Sequence, residues 1–431
     1  MRKLISLFLF TLIYYTGLGQ NAKTYAKLDQ KASEINSKVI EWRRYFHQHP
    51  ELSNREFNTG KKIAEHLKSL GLEVKYPVAK TGAVAILRTG KPGPTIALRA
   101  DIDGLPVAER NALPFASKEK SEYLGQEVSV MHACGHDTHI AILMGVAEVL
   151  AGMKNELKGN IVFLFQPAEE GAPPGEEGGA ALMIKEGVLD NPKVDAIFGL
   201  HISSNTPVGA VTYKPEGILA AADILNIKVS GRQSHGSAPW MGVDPVVVSA
   251  QIILGLQTIV SRQVNLTTAA AVVSVGKIEG GVRNNIIPET VNMVGTIRTL
   301  DNAMQDQIHE KIKVTAENIA KSAGATAEVN IVRGVPVTYN DPALTAWAGP
   351  VLQRVAGDNA KIIPAITGAE DFAFYSQKVP GFFFFVGGMP KDGDPTKVAA
   401  HHTPDFFIDE TGMITGVKAM LNLTIDYMNK K

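Results

Sequence analysis

The sequence predicts an α/β protein with a large helix-covered sheet and a smaller α+β domain inserted into it. Short apolar strands alternate with helical segments, which is typical of a sheet covered on both faces. Polar residues follow several of these strands at their carboxyl ends, where α/β sheets bind ligands. Between about Gly217 and Asp341 the order of elements becomes β-α-β-β-α-β, which indicates a ferredoxin-like domain.

Size and charge limit the class of protein. The 431 residues, 45% of them hydrophobic, are enough for two domains with a large core. Lys+Arg and Asp+Glu balance at 43 each, and the sequence has no basic stripe interleaved with aromatic residues. This composition argues against nucleic acid as the main partner.

Residues 1–20 have the pattern of a signal peptide. Arg2-Lys3 is a short basic region, Leu4–Ile13 is an apolar core, and small residues follow, so cleavage is predicted at Gly19 or Gln20. An uncleaved anchor is the alternative, but the apolar run is short for a span of about 20 residues. We therefore expect an exported protein, periplasmic or secreted, without a stable membrane span after signal removal.

The remaining chain divides into a catalytic domain, residues 21–217 and 335–431, and an inserted domain, residues 218–334. In the first, Pro50 and Gly71 stop two predicted helices. Alternating or buried strands are predicted at 72–76, 83–88, 95–99, 160–165, 194–200 and 381–386.

The inserted domain has strands at 224–230, 270–275, 291–298 and 327–332 by the same criteria. Its first helix is predicted from Asp244 to Arg262, with Pro245 in the first turn. The second is predicted from Asp301 to Ala323, with Asp301 as the N-cap.

The stretch Val130-Met-His-Ala-Cys-Gly-His-Asp-Thr-His139 carries the strongest chemical signal. It holds three of the eleven histidines and the only cysteine. Imidazole, thiolate and carboxylate are the ligands that zinc-like ions prefer. A lone cysteine in an exported protein has no internal disulfide partner, so metal ligation explains Cys134 better than a role as a small buried hydrophobe.

Further candidates follow the predicted strands. Asp101/Asp103, Glu169-Glu170, His201 and His401-His402 fall at or beyond strand ends, whereas Glu176-Glu177 is interpreted as a solvated acidic loop. Adjacent carboxylates suit a metallohydrolase because one binds the ion while its neighbour acts as general base. Alone, His201 is more often a buried core histidine; together with the other clusters it is a candidate ligand.

The number of candidate ligands indicates two ions. The candidates are Cys134, His136, Glu170, His201 and one of His401 and His402. Five ligands exceed the four of one tetrahedral ion, so we predict two divalent ions that share a bridging ligand.

The same residues give the chain a family resemblance. It resembles the aminoacylase/carboxypeptidase family of two-metal amidohydrolases, in the branch of hippurate hydrolases, N-acyl-L-amino-acid amidohydrolases and auxin-conjugate hydrolases. The matching stretches are His47-Gln-His-Pro-Glu-Leu-Ser, Arg99-Ala-Asp-Ile-Asp-Gly-Leu-Pro, Met131-His-Ala-Cys-Gly-His-Asp-Thr-His, Gln166-Pro-Ala-Glu-Glu-Gly, Gly199-Leu-His, Ser234-His-Gly-Ser-Ala-Pro, Gly368-Ala-Glu-Asp-Phe-Ala-Phe-Tyr and His402-Thr-Pro-Asp-Phe.

The resemblance implies a zinc-peptidase-like catalytic domain with a mixed sheet, and an inserted lid or dimerisation domain that makes the chain a homodimer. It implies that Cys134 bridges the two ions, where related branches use aspartate, and that the ligand set is completed by His136, Glu170, His201 and His402. Glu169 is then the general base, which later protonates the leaving amine.

The resemblance also implies further catalytic and substrate-binding roles. Asp103 is expected to orient an active-site group, although the sequence does not separate it from Asp101. His235 is expected to polarise the scissile carbonyl, in this family often from the partner subunit. Asn285 and Arg298 are expected to contact the substrate carboxylate; otherwise they are a turn asparagine and a surface arginine. His139 is expected to pack near the metals without binding them.

The expected function is metal-dependent hydrolysis of the amide bond of N-acyl amino acids, hippurate-like or related small conjugates. A metal-activated water attacks, with Glu169 as general base. The alternatives are a dipeptidase or carboxypeptidase acting on small peptides, and a non-catalytic binding protein on the same fold. The thiolate favours zinc over manganese, nickel or cobalt.

Overall fold

Helices and short buried strands alternate along the chain in this computed structural model, which describes the backbone of residues 2–430 and the side chains of residues 22–430. The predicted signal peptide lies outside the described side chains. The helices are α1 (Arg2–Gln48), α2 (Phe57–Ser69), α3 (His136–Gly152), α4 (Gly179–Lys185), α5 (Pro245–Thr258), α6 (Asn302–Ser322), α7 (Pro342–Ala356), α8 (Ala373–Ser376) and α9 (Met413–Met428).

The strands are β1 (Glu73–Val78), β2 (Gly82–Arg88), β3 (Thr95–Asp101), β4 (Lys120–Tyr123), β5 (Gln126–Ser129), β6 (Asn160–Gln166), β7 (Ala196–Pro207), β8 (Val211–Tyr213), β9 (Glu216–Leu219), β10 (Ala221–Ser230), β11 (Ser234–His235), β12 (Ala271–Gly280), β13 (Ile286–Ile287), β14 (Thr290–Thr299), β15 (Thr326–Val335), β16 (Thr338–Asn340), β17 (Ala360–Ile362) and β18 (Gly381–Met389).

The chain folds into two compact units. The first contains Met1–Tyr213, Asp341–Ile363 and Tyr375–Lys431, and the second contains Lys214–Asn340 and Pro364–Phe374. The second unit thus covers the segment predicted as the inserted domain, 218–334, and adds a short segment from the later part of the chain.

The first unit is built on a mixed sheet with the strand order β1-β2-β6-β3-β7-β18-β8-β17. The central strands β6, β3, β7 and β18 pair in parallel, whereas β1, β2 and β6 pair antiparallel at one side. All seven residues of β3 and all nine of β18 are buried, as expected for strands with both faces covered. The predicted mixed sheet flanked by helices is confirmed.

Helix α3 is the buried centre of the first unit, because it packs against β3 and β7 and contacts α1 and α9. Gly145 allows α1 to approach closely, since a Cβ at this position would lie 2.6 Å from Cγ2 of Val39. This packing fixes the helix whose first residue is His136.

Strand β7 is longer than predicted. The sequence interpretation gave residues 194–200 as the strand, with His201 at its end. The strand continues to Pro207 because β18 pairs with it along its length, from Ile197 opposite Gly381 to Pro207 opposite Met389. His201 therefore lies within a strand, opposite Phe385.

The second unit contains an antiparallel sheet with the order β12-β14-β10-β15. Helices α5 and α6 pack on this sheet, so the elements follow the β-α-β-β-α-β order that the sequence predicted. Asp244 and Asp301 cap these helices by accepting from backbone N–H groups two or three residues ahead. The role of this unit as a lid or dimerisation domain stays a prediction.

One helix of the second unit is apolar along most of its length. By length and composition, Pro245–Gln263 could cross a membrane. One side of it is buried, however: Val248, Ile252, Leu256 and Ile259 belong to the core between α5, α6 and the sheet. Packing in a folded unit therefore accounts for the apolar residues on this side of the helix.

Candidate active site

A glycine turn presents the motif residues at the start of α3. Gly135 has φ of 90°, and a Cβ there would lie 2.3 Å from Cγ2 of Ile202. Only glycine suits both this conformation and this close approach. The turn leaves Cys134 and His136, on either side of it, among the same group of metal-binding side chains.

Cys134 is the shared member of two groups of potential metal ligands. Its Sγ lies 3.4 Å from Nε2 of His201 and 3.3 Å from Nε2 of His402, and that Nε2 lies 3.0 Å from Oε1 of Glu170. One ligand atom from each of Cys134, His136 and His201 lies within 4.8 Å of the others, and the same holds for Cys134, Glu170 and His402. The Cys134 sulfur is therefore within reach of both groups, and its bridging role stays a prediction.

The histidine tautomers leave lone pairs facing the centre of the site. Nδ1 of His136 donates to the backbone oxygen of Asp103 at 2.9 Å, and its buried Nε2 has no hydrogen-bond partner among the described residues. Nδ1 of His201 donates to the backbone oxygen of Ile202 at 2.6 Å, so its Nε2 is unprotonated in the neutral ring. The residues present therefore fit a metal centre, because a buried nitrogen without a partner is costly unless a cation binds it.

The electrostatics of the site also favour cations. Burial raises the pKa of the Cys134 thiol well above its ordinary value, and the neighbouring carboxylates of Glu170 and Glu169 raise it further. Burial alone would lower the pKa of His136, but Asp101 and Asp103 outweigh it and raise this pKa to about 10. The negative potential of these carboxylates therefore attracts positive charge to this position, whether protons or metal ions.

His401 and His402 are separated by their hydrogen bonds. His401 accepts from the backbone N–H of Ser204 through Nε2 at 3.2 Å, so its Nδ1 carries the proton and donates to the backbone oxygen of Cys134. Both nitrogens of His401 are thus engaged. His402, in contrast, directs Nε2 at Cys134 and Glu170 and has a left-handed backbone, with φ of 64°.

The acid that ends β3, Asp101, and the acid two residues later, Asp103, support different histidines. Asp103 accepts from Nδ1 of His136 at 3.1 Å and from the backbone N–H of Glu170 at 3.1 Å. Asp101 accepts from Nδ1 of His139 at 2.5 Å and from Arg99 at 2.6 Å. Asp103 therefore orients a predicted ligand directly.

Asp101 acts through His139, whose Nε2 accepts from the backbone N–H of Ile202 at 2.8 Å. Both nitrogens of His139 are therefore engaged in hydrogen bonds.

Glu169 lies at the edge of the same cluster. Its side chain is 9% exposed, and its Oε2 lies 3.8 Å from Nε2 of His136. Ala168 before it and Gly171 after it both have positive φ. This loop presents Glu169 and Glu170 to the same centre, as two carboxylates with separate roles require.

The sequence interpretation missed the segment that holds this loop. Glu56 is fully buried and accepts from the backbone N–H of Ala168 at 2.8 Å and from Oγ1 of Thr81 at 2.6 Å. Ser53 donates to Oδ2 of Asp103 at 2.6 Å. The only available signal was an acid directly before an amphipathic helix, and this pattern is also typical of an ordinary helix start.

Replacing Glu56 with glutamine is expected to change how stability depends on pH in the metal-free protein. Burial, with a further contribution from Asp103, raises the pKa of Glu56 from 4.5 to about 8. Between these values the folded protein holds a proton that the unfolded chain has lost, so wild-type stability falls as pH rises. In Glu56→Gln the free energy of unfolding should fall less over this pH range. The difference from wild type should be on the order of a few kcal/mol.

Denaturant unfolding of wild type and Glu56→Gln, each at pH 5 and pH 8 in the presence of a metal chelator, measures this difference. Parallel pH dependences would contradict the assignment of a buried proton to Glu56.

The second unit holds the other predicted site residues. Nδ1 of His235 accepts from the N–H and Oγ of Ser237, at 3.0 and 2.7 Å, so its Nε2 carries a proton that it can donate. Asn285 lies beside this segment, because the N–H of Gly236 donates to its backbone oxygen at 2.8 Å. Arg298 lies on β14 and donates to the backbone oxygen of Ile297 at 3.1 Å.

Comparisons with known proteins identify the family of this chain. The model of peptidase family M20/M25/M40 matches residues 97–426. An N-acetyl-L-cysteine deacetylase of Bacillus subtilis is 41% identical over 89% of this chain and 86% of its own. Thermostable carboxypeptidase 2 of Saccharolobus solfataricus is 38% identical over 94% of this chain and 99% of its own.

A solved structure gives the same result for the fold. A Bacillus subtilis protein described as a dinuclear metal-binding peptidase has 33% sequence identity to this chain and a TM-score of 0.77. The alignment covers 93% of this chain and all of that one.

Proposed function

Because this chain belongs to peptidase family M20/M25/M40 and is a metal-dependent hydrolase of amide or peptide bonds, we propose that its substrates are N-acyl amino acids. The observation that carries the proposal is the cluster around Cys134, in which two groups of ligands share one sulfur and Glu169 lies beside them. Such a centre suits hydrolysis of a linear amide.

We propose that two divalent ions bind here; Cys134, His136, Glu170, His201 and His402 would hold them, with Cys134 as the residue common to both ligand groups. When bound, the ions acidify a water molecule and polarise the amide carbonyl. Zinc is our proposed native metal, because a thiolate bridge favours a soft ion over manganese, nickel or cobalt.

The side chains move the proton. The Glu169 carboxylate accepts a proton from the attacking water and returns it to the amide nitrogen as the C–N bond breaks, so the products are a carboxylate and an amine. Asp103 keeps the proton of His136 on Nδ1, which leaves Nε2 as a lone pair. The Nε2–H of His235 is suited to donate to the carbonyl oxygen as negative charge develops on it.

A second candidate function is cleavage of small peptides, because one relative of this chain is a carboxypeptidase. A panel distinguishes the two: N-acetyl-cysteine and N-benzoyl-glycine beside unblocked dipeptides and N-blocked dipeptides, with the chain reconstituted in zinc or manganese. We expect kcat/KM at least tenfold higher for N-acyl amino acids than for peptides. Preferential release of C-terminal amino acids from peptides would favour the alternative.

We also propose that the chain is exported and forms a homodimer through its second unit. On α5, Val247 and Leu254 are 54% and 70% exposed, and the nearby edge strand β12 exposes Ile278. A surface of this kind suits a protein interface. Sedimentation of Leu254→Glu should give half the wild-type mass. The control Val314→Glu, on the exposed side of α6, should keep the wild-type mass. Equal masses for wild type and Leu254→Glu would contradict this interface.

A further inference from the structure

A cavity of about 390 Å³ lies in the first unit beside the predicted metal ligand Glu170. Its walls come from the segment around Leu52, residues 104–106, the tip of the β4–β5 hairpin and the loop from Glu170 to Pro173. Cavities of this size hold small organic ligands, and this one is much larger than the methyl group of an acetyl substrate requires.

The hairpin tip has an unusual residue for its turn. Strand β4 pairs with β5 up to Tyr123 opposite Gln126, which leaves Leu124-Gly125 as a two-residue turn. Both residues have positive φ, 53° and 77°, as a type I′ turn requires. Asparagine is the usual first residue of such turns, since a leucine there is conformationally strained.

Leu124 is also 67% exposed, although it is apolar. Leucine is unfavourable at this position for two reasons, its strained backbone conformation and its exposed apolar side chain. Contacts within the chain do not bury the side chain and so do not compensate. A residue in this state at the wall of a cavity is expected to contact a ligand.

The charges of the walls identify the part of the substrate that fits. The positive charge of Arg55 is neutralised by Glu176, because Nη2 of Arg55 lies 2.7 Å from Oε1 of Glu176. Glu122, at the hairpin wall, has no ion pair among the described residues and adds negative charge near Glu170. An uncharged apolar group is therefore favoured here over the carboxylate of an amino acid.

We propose that this cavity is the subsite for the acyl group, and that it accepts uncharged acyl chains larger than acetyl, such as hexanoyl or benzoyl. This inference rests on the proposed function. In this arrangement the scissile amide lies at Glu170, the acyl chain lies against Leu124, and the hairpin sets the preferred length and charge of the acyl group.

The first test replaces Leu124 with asparagine, which suits the turn and removes the apolar wall. With glycine as the constant amino acid, kcat/KM for N-hexanoyl and N-benzoyl substrates should fall about tenfold, whereas N-acetyl-glycine should change less than twofold. Ile362→Asn is the matched control, because Ile362 is 66% exposed on β17 and is not part of this cavity. It should leave all three values unchanged.

The second test changes charge at Glu122 and seeks a gain of activity. For N-succinyl-glycine, kcat/KM should rise in Glu122→Gln and rise further in Glu122→Lys, to about fivefold above wild type. For the uncharged N-butanoyl-glycine, kcat/KM should be the same in all three proteins. Lysine is compatible with the hairpin because Glu127 lies opposite on β5. The gain should decrease as salt is added.

The outcomes separate the two proposals. If wild type hydrolyses N-acyl amino acids but neither substitution alters the preference among acyl groups, the subsite assignment is overturned. It is also overturned if the substitutions instead change the preference among amino acids in an N-acetyl series. If the metal-loaded wild type cleaves peptides and no N-acyl amino acid, the proposed function fails and the subsite assignment fails with it.

Discussion

Replacing Glu169 with glutamine is expected to abolish hydrolysis while the protein keeps its bound metal. Glutamine has nearly the same shape as glutamate, but its amide cannot accept the proton of the attacking water. General acid–base groups contribute about 10²- to 10⁴-fold to rates, so kcat should fall by about 10³-fold or more. Parallel measurements of kcat and of metal per chain in wild type and Glu169→Gln test this result.

Two neighbouring acids serve as controls. Glu170 lies 3.0 Å from His402 and shares a ligand group with Cys134, so Glu170→Gln should lose metal as well as activity. Glu177, in the following loop, pairs with Lys185 at the surface, and Glu177→Gln should retain kcat within about twofold. An active Glu169→Gln protein would refute the assignment of the general base.

The position of the site was predictable because the fold brings strand ends together. Asp101 at the end of β3 and Gln166 at the end of β6 lie opposite each other in a parallel pair. The residues two to four positions further along, Asp103 and Glu169-Glu170, are consequently close in space. Periodicity was sufficient to predict these strands, and the strands were sufficient to predict the cluster.

The supporting contacts were not predictable, because they join distant parts of the chain through single hydrogen bonds. Glu56 and Ala168 are 112 residues apart, and nothing in the local pattern around either residue indicates their contact. The β4–β5 hairpin was also missed, since Lys120–Ser129 is polar and has no clear alternation. Local sequence reports burial and turn chemistry, whereas these contacts depend on tertiary packing.

The histidine pair His401-His402 shows the same limit on a smaller scale. The sequence offered two adjacent imidazoles, and only the resemblance favoured His402. The structure separates them physically, because His401 uses both nitrogens in hydrogen bonds to backbone groups. That information comes from Ser204 near the end of β7, which is far away in sequence.

Substitution of Cys134 is expected to have the second large effect, because its sulfur belongs to both ligand groups. Cys134→Ala removes the shared ligand and should reduce bound metal from about two ions per chain to fewer than one, with a loss of activity of at least about 10³-fold. Cys134→Asp supplies an oxygen bridge instead. It should retain two ions, and its preference should shift from zinc towards manganese relative to wild type, because carboxylates suit harder ions.

His401→Gln is the matched control for the cysteine variants. Nδ1 of His401 lies 3.6 Å from Sγ of Cys134, yet its hydrogen bonds leave it no lone pair for an ion, so this variant should keep both ions. The three variants and wild type are each reconstituted in zinc and in manganese. Metal per chain and the rate of N-acetyl-cysteine hydrolysis are then measured for each protein. Two ions in Cys134→Ala would refute the bridge.

The thiol itself gives an independent readout of the same assignment. Cys134 is 8% exposed, and a sulfur bound between two ions should react with a thiol reagent far more slowly than a free thiol. Chelation should therefore speed modification in wild type, and added zinc should restore protection. Since Cys134 is the only cysteine in the sequence, the modified fraction reports this one position. A reaction rate that chelation leaves unchanged would show that the sulfur binds no ion.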